Sequence, residues 1–143
     1  MLRLPLSKGM AARDFLLWLI DDGESNHQAA MATANLLPWV TLERFYTGAE
    51  AVEAFSAIEA NGGRAPDAVL MDFFLVGERG DQVTSALRQA EVRSRPVIVG
   101  YSSVASGSAA IVAAGGDLAV RKHADGSGVN PSLATWLRSL RKG

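Results

Sequence analysis

Cysteine is absent from the 143 residues of this chain. Disulfide scaffolds, thiolate metal sites and cysteine nucleophiles are therefore excluded together. An excess of charge of one sign is also lacking: 14 lysines and arginines stand against 15 aspartates and glutamates, a formal net charge of −1. Bulk attraction to nucleic acid or to an anionic lipid surface is not expected from such a balance. No long apolar run is present either. The longest, Phe15 to Ile20, falls far short of the roughly 20 residues that a membrane span requires. Residues Met1 to Arg13 are partly basic but contain no continuous apolar stretch leading to a small-residue cleavage site, so they do not read as a secretory signal. A cytoplasmic protein with neither nucleic-acid nor membrane contact is expected. Met1 to Ala12 shows no clear period and is expected as a mobile N-terminal extension to one domain over residues 13–143.

What is present is an ordinary globular composition, 48% hydrophobic and 20% charged residues, on a length that suits one domain with one core. Short apolar runs alternate with longer helical patterns, as in a βαβ protein with a parallel sheet. Phe15 to Ile20 is continuous rather than alternating, as in a strand buried on both faces. A polar turn, Asp21 to Asn26, leads into a helix through about Leu37, ended by Pro38. Val40 to Tyr46 alternates and carries Glu43 and Arg44, which fits a strand near the sheet edge. Thr47 with Glu50 forms a capping box for a helix to about Ala60, closed by Asn61-Gly62-Gly63. Ala68 to Met71 is the third strand. A loop from Phe73 to Arg79 leads to a helix over about Asp81 to Ala90, then a strand over Pro96 to Tyr101. A small-residue helix over about Ser106 to Ala114 stops at Gly115-Gly116, and Leu118 to Arg121 is a short fifth strand. Asn130 as N-cap and Pro131 at the first helical position open the last helix, to about Leu140. Right-handed crossovers turn this alternation into an open sheet with helices on both faces, whose function collects beyond the carboxyl ends of the strands.

At those ends the chemistry is concentrated. The first strand ends in Asp21-Asp22, the third in Asp72, the fourth in Ser102-Ser103 and the fifth in Lys122. Carboxylates brought together repel, so such a group has raised pKa values or takes a cation. A hard divalent ion such as Mg2+ suits it, since Mg2+ binds one or two carboxylates, water and phosphate oxygens. Lys122 can pair with Asp72 and later with phosphoryl oxygens, and Ser102 can donate a hydrogen bond to the same oxygens. The parts read as a phosphoryl-transfer site whose nucleophile is a carboxylate, ionised at neutral pH and needing no base.

From about Phe15 to Leu140 the chain resembles the receiver domains of bacterial two-component response regulators, of the stand-alone single-domain type. The resemblance is carried by Asp21-Asp22, by Leu70-Met71-Asp72, by Gly80 eight residues later, by Val97 to Ser102 and by Ala114-Gly115 ahead of Lys122. Ser102 follows Asp72 by 30 residues, as in that family. The resemblance implies a flavodoxin-like (βα)5 three-layer sandwich whose five-stranded parallel sheet has the order 2-1-3-4-5. It implies Asp72 as phospho-acceptor, Asp22 and Asp72 as direct Mg2+ ligands, Asp21 acting mainly through a bound water, and the backbone carbonyl of Phe74 completing the set. Ser102 would be the switch hydroxyl and Lys122 its ion-pair partner. The implied phosphoryl donor is a sensor histidine kinase or a histidine phosphotransfer protein.

Four positions depart from the family pattern. His123 stands where proline, often cis, usually follows the lysine. A cis bond to a non-proline residue costs about 2.5–4 kcal/mol, so a trans bond and a somewhat shifted loop are expected. Ala119 replaces a common aromatic, so an activation relay would have to run through the loop from Ser102 to Ser106. Phe74 is apolar where many relatives are polar and cannot orient a water, which predicts slow hydrolysis of the acyl phosphate. Leu75-Val76-Gly77 lacks a proline often found four residues after the acceptor, which loosens that loop. Among flanking residues, Lys122 rather than Arg121 is expected to point inward, Trp18 and Trp136 to be core, and Trp39 to be partly exposed. His27 is expected as a solvated or flanking residue of the first helix, and His123 as a loop filler.

The last predicted helix reaches the end of the sequence, so output is expected through protein contact with a downstream target, by a monomer or weak dimer. The protein would be a switch rather than an enzyme, catalysing only its own phosphorylation and dephosphorylation. Two rivals carry different expectations. A pseudo-receiver would be an interaction module that accepts no phosphate. A flavodoxin-like cofactor protein or small phosphohydrolase would want a serine/threonine- and glycine-rich loop after the first strand or a general acid near the nucleophile. The chain offers Asp21-Asp22-Gly23-Glu24 there instead, which repels phosphate unless a metal intervenes.

Overall fold

The computed structural model describes residues 14–141; the N-terminal extension expected over Met1 to Ala12 lies outside them. In chain order the elements are β1 (Phe15–Ile20), α1 (Glu24–Ala34), β2 (Val40–Phe45), α2 (Gly48–Ser56), α3 (Ile58–Asn61), β3 (Ala68–Met71), β4 (Phe74–Leu75), β5 (Glu78–Arg79), α4 (Gly80–Gln89), β6 (Val97–Gly100), α5 (Ala105–Ala113), β7 (Leu118–Ala119) and α6 (Pro131–Ser139). The main sheet has five strands in the order β2-β1-β3-β6-β7, with every pairing parallel. Passing over the small hairpin of β4 and β5, this is the 2-1-3-4-5 order expected.

The continuous apolar run of β1 is explained by its central place. Leu16, Trp18 and Ile20 point to one face and pack with Phe55 of α2, Val83 and Leu87 of α4, and Ile111 of α5. Leu17 and Leu19 point to the other face, with Ala30 of α1 and Leu133 and Leu137 of α6. Helices thus cover both faces, which makes three layers. The alternation of β2 reflects its place at the edge, where Glu43 accepts a 2.8 Å hydrogen bond from the buried Trp18 indole. Caps behave as the sequence suggests. The Thr47 hydroxyl accepts from the Glu50 amide at 3.1 Å, and the Asn130 side-chain carbonyl accepts from the Ser132 and Leu133 amides at 3.0 and 3.2 Å.

Several boundaries differ from expectation. The first helix stops at Ala34, three residues early, and Leu37 folds back into the core. The helix expected to run from Thr47 to about Ala60 divides at Ala57 into α2 and the short α3. The fifth strand is only two residues long, although the Val120 amide still bonds to the Gly100 carbonyl at 3.0 Å. The loop from Phe73 to Arg79 is an antiparallel hairpin, with Phe74 opposite Arg79 and Leu75 opposite Glu78. Gly77, at φ +77°, supplies the left-handed backbone of its turn, and buried Leu75 anchors it. Glu78 reaches from this hairpin to accept the Gly48 amide at 2.7 Å, at the start of α2.

Candidate functional site

Parallel pairing places the strand ends side by side. Ile20 is level with Met71, Met71 with Gly100, and Gly100 with Ala119, so Asp21, Asp72, Tyr101 and Val120 follow on neighbouring strands. The Asp72 amide bonds to the Ile20 carbonyl at 3.0 Å and the Tyr101 amide to the Met71 carbonyl at 2.8 Å, which carries the sheet one residue further. Gly80 approaches from the hairpin so closely that a Cβ there would overlap the Asp72 carbonyl oxygen. Only glycine fits at the first residue of α4, which gives a local reason for the glycine eight residues after Asp72.

Lys122 joins the acidic residues. Its Nζ lies 2.8 Å from Asp21 Oδ2 and 2.9 Å from Asp72 Oδ1, with its side chain 11% exposed and that of Asp21 fully buried. The ammonium also lies 5.9 Å from the centroid of the Tyr101 ring, a cation–π distance. Lys122 therefore points inward while its neighbour Arg121 is exposed, as expected. The described residues contain no cis peptide bond. With His123 in place of proline the Lys122–His123 bond is trans, and the lysine reaches both carboxylates all the same.

Asp21 is bonded at every polar atom. Its amide donates to the Phe45 carbonyl at 3.0 Å. Oδ1 accepts from the Gly23 amide at 2.8 Å and from Asn26 Nδ2 at 3.0 Å, and Oδ2 accepts from Lys122. Its carbonyl accepts from His27 Nε2 at 2.7 Å. Asp22, by contrast, is exposed. Asp21, Asp22 and Asp72 each offer a carboxylate oxygen, and these oxygens lie within 4.8 Å of one another. That is a hard, anionic oxygen donor set, which fits Mg2+ with water and phosphate oxygens completing its shell. Burial and the neighbouring Asp21 push the Asp72 carboxyl above its ordinary range, against the pull of Lys122. For Lys122 burial works downward, but the hydrogen bonds and charges of Asp21 and Asp72 outweigh it and hold the ammonium above its usual value.

The hydroxyl side is looser. Ser102 is buried at the end of β6, but its Oγ accepts from the Val104 amide at 3.1 Å and so caps its own loop. Ser103 is exposed. Beside them a cavity of about 400 Å³ is lined by Ser102, Ala105, Ser108, Ala109 and Ala119 among others; a larger side chain at 119 would project into it. Phe74, whose carbonyl was expected as a ligand, sits on β4 and is 58% exposed. The structure thus brings Asp21, Asp22, Asp72 and Lys122 together; the Ser102 amide donates to Ser108 Oγ of α5 at 3.2 Å, and the Ser102 hydroxyl is left bonded within its own loop.

One sequence expectation is corrected. His27 is neither solvated nor flanking: its side chain is completely buried, stacked on Tyr46 with ring centroids 3.9 Å apart and planes 10° apart. The Tyr46 hydroxyl in turn donates to Glu24 Oε1 at 2.7 Å and accepts from Arg44 Nη1 at 3.2 Å. A histidine in the first turns of a helix that begins just after the acidic pair was the available signal, since that turn bends back over the strand end. Trp18 is core on one face of the sheet and Trp39 has intermediate exposure, as expected; Trp136, expected as core, is only partly buried against the core of the other face.

No family model matches the sequence, and no curated protein does. Solved structures do. A response regulator receiver domain (CheY-like) from Methylobacillus flagellatus superimposes with a TM-score of 0.70 at 19% identity, over 90% of this chain and 99% of that chain. The response regulator domain of Thermotoga maritima CheB gives 0.68 at 18% identity, over 90% and 93%. The receiver domain of a histidine kinase from Arabidopsis thaliana, complexed with Mg2+ and BeF3−, gives 0.64 at 22% identity, over 90% of each chain. The likeness is one of fold, with its acidic cluster at the carboxyl edge of the sheet. The chain has the CheY-like receiver fold of two-component response regulators.

Proposed function

We propose that this protein is a phosphoryl-accepting signalling switch, with Asp72 as the acceptor and Mg2+ as the cation of its site. The carrying observation is the ammonium of Lys122 held between Asp21 and Asp72, with oxygens of the Asp21, Asp22 and Asp72 carboxylates within 4.8 Å of one another. Both oxygens of Asp21 are already engaged, which suits a role through bound water; Asp22 and Asp72 remain as direct ligands, and the backbone carbonyl of Phe74, two residues after Asp72, would complete the set. Bound Mg2+ would neutralise charge on the transferring phosphoryl group.

Lys122 occupies Oδ1 of Asp72 and leaves Oδ2 as the nucleophile. Attack by Oδ2 on the phosphorus of a phosphohistidine forms the acyl phosphate O–P bond as the P–N bond breaks, and the leaving imidazole takes up a proton from water. Lys122 then pairs with a phosphoryl oxygen, and Ser102 exchanges its bond to Val104 for one to the same group. This shifts an existing equilibrium between two loop arrangements. The exposed Phe74 ring offers no group to orient a water, so the acyl phosphate persists. The donor is a sensor histidine kinase or histidine phosphotransfer protein, the readout is contact with a downstream target by a monomer or weak dimer, and the protein works in the cytoplasm as a switch rather than an enzyme. Among the described residues no helix is long and apolar enough to cross a membrane.

Intact mass after incubation with acetyl phosphate and Mg2+ tests the reading. Wild type gains one phosphoryl group and Asp72→Asn gains none. Uptake that survives the substitution removes Asp72 from the role, and no uptake by wild type leaves an interaction module that accepts no phosphate.

A further inference from the structure

His27 carries a deficit that its burial makes informative. A backbone carbonyl only accepts hydrogen bonds, so the 2.7 Å contact with the Asp21 carbonyl puts the hydrogen on Nε2. In the neutral ring the lone pair then lies on Nδ1, and Nδ1 is buried without any hydrogen-bond partner. Burying an unpaired acceptor is unfavourable. A leucine or phenylalanine would fill much of the same space against Tyr46 without leaving a nitrogen orphaned. What such side chains lack is a rigid donor aimed at the strand end. The ring is held in that orientation, clamped face to face on Tyr46, which is itself tied to Glu24 of α1 and Arg44 of β2.

The carbonyl that His27 holds belongs to the Asp21–Asp22 peptide. Its direction fixes the plane of that peptide and hence the direction from which the Asp22 side chain leaves the backbone. The Asp21 amide is fixed on one side by Phe45 and the Gly23 amide on the other by Asp21 Oδ1 at 2.8 Å, so His27 supplies the constraint on the peptide between them. We propose that His27 is a positioning residue: by holding the Asp21 carbonyl through Nε2–H, it presets the exposed Asp22 carboxylate to share a divalent cation with Asp72. This inference rests on reading the site as a Mg2+ holder. Hydrogen bonds behind ligating groups typically account for about 10–100-fold in metal affinity.

Calorimetric titration with Mg2+ of the full chain tests it, using wild type, His27→Leu, His27→Gln and Asp72→Asn. His27→Leu is expected to weaken Mg2+ binding by about 10–100-fold. His27→Gln, whose amide nitrogen can reach the same carbonyl, recovers most of that loss. A purely structural role would lower the melting temperatures of both variants and leave the Mg2+ affinity of the folded protein unchanged. Binding by His27→Leu equal to wild type, or a glutamine no better than leucine, overturns the proposal. If His27→Leu does not fold, the wild type decides: its imidazole nitrogen–proton resonance should report a protected Nε2–H that shifts on saturation with Mg2+, and an unmoved resonance overturns the idea. Wild type that binds no Mg2+ removes the metal reading together with this inference, whereas a binding wild type with an indifferent His27→Leu removes the inference alone.

Discussion

On the β1 side of the crevice each polar atom of Asp21 is bonded to a neighbour, and Lys122 ties that residue to Asp72. On the β6 side the Ser102 amide donates to Ser108 Oγ of α5, but the Ser102 hydroxyl bonds only within its own loop and borders a cavity of about 400 Å³ lined mainly by alanine and serine. Under the proposed function the contrast separates two roles. Charges that must meet a cation and a phosphoryl group in fixed positions gain from being held beforehand, because no reorganisation is then needed when they act. A hydroxyl that must change partners gains from small neighbours and unfilled space.

The contrast breaks most severely at Lys122. Lys122→Ala leaves two carboxylates buried without a cation, and losing one partner of a buried pair costs about 3–5 kcal/mol. Urea unfolding of metal-free protein at neutral pH should show that loss, with Mg2+ restoring part of it. A loss under about 1 kcal/mol, the range of exposed pairs, would mean that water screens the acidic side.

A second test sharpens the same side through pH. Because the folded-state pKa of Asp72 is raised, folded protein keeps a proton in a window just above the ordinary carboxylate range, where the unfolded chain has released it. Stability therefore falls as pH rises through that window. Metal-free Asp72→Asn should show a flatter profile of urea midpoint against pH there and a higher midpoint at neutral pH. Parallel profiles for the two proteins would show that Lys122 fully compensates the carboxylate.

The smallest effect is expected on the loose side. Ala119→Tyr projects a ring into the open cavity and should change stability by no more than about 1 kcal/mol, with phosphoryl uptake intact. Destabilisation of about 2 kcal/mol or more, typical of overpacking, would show that the space beside Ser102 is not available to a side chain.

Much of this was legible in the sequence. The apolar run of β1, the alternation of β2 and the strand ends at Asp72 and Ser102 follow from burial on two faces or one, and strand order follows from handedness and the resemblance. The acidic pair, Asp72 and Lys122 were legible because parallel strands deliver their last residues to one edge. Features resting on two or three residues were not. The β4–β5 hairpin is too short to show a period and depends on Leu75 finding the core and Gly77 turning. The break at Ala57 has no breaker residue to mark it, and α1 stops ahead of Pro38 where Leu37 turns into the core. His27 was misread because a helical position has no inside until the partner strand is placed; here the inside is the end of β2, through Tyr46.

The contact between Gly80 and the Asp72 carbonyl has a mechanical consequence. With no side chain between them, and with the Gly80 amide bonded to the Phe73 carbonyl at 2.8 Å, the end of β3 and the first residue of α4 meet without slack. Glu78, two residues earlier, grips the start of α2. The hairpin therefore couples the end of β3 to α4 through backbone alone, with no side chain to rotate and absorb a displacement, and to α2 through the single side chain of Glu78.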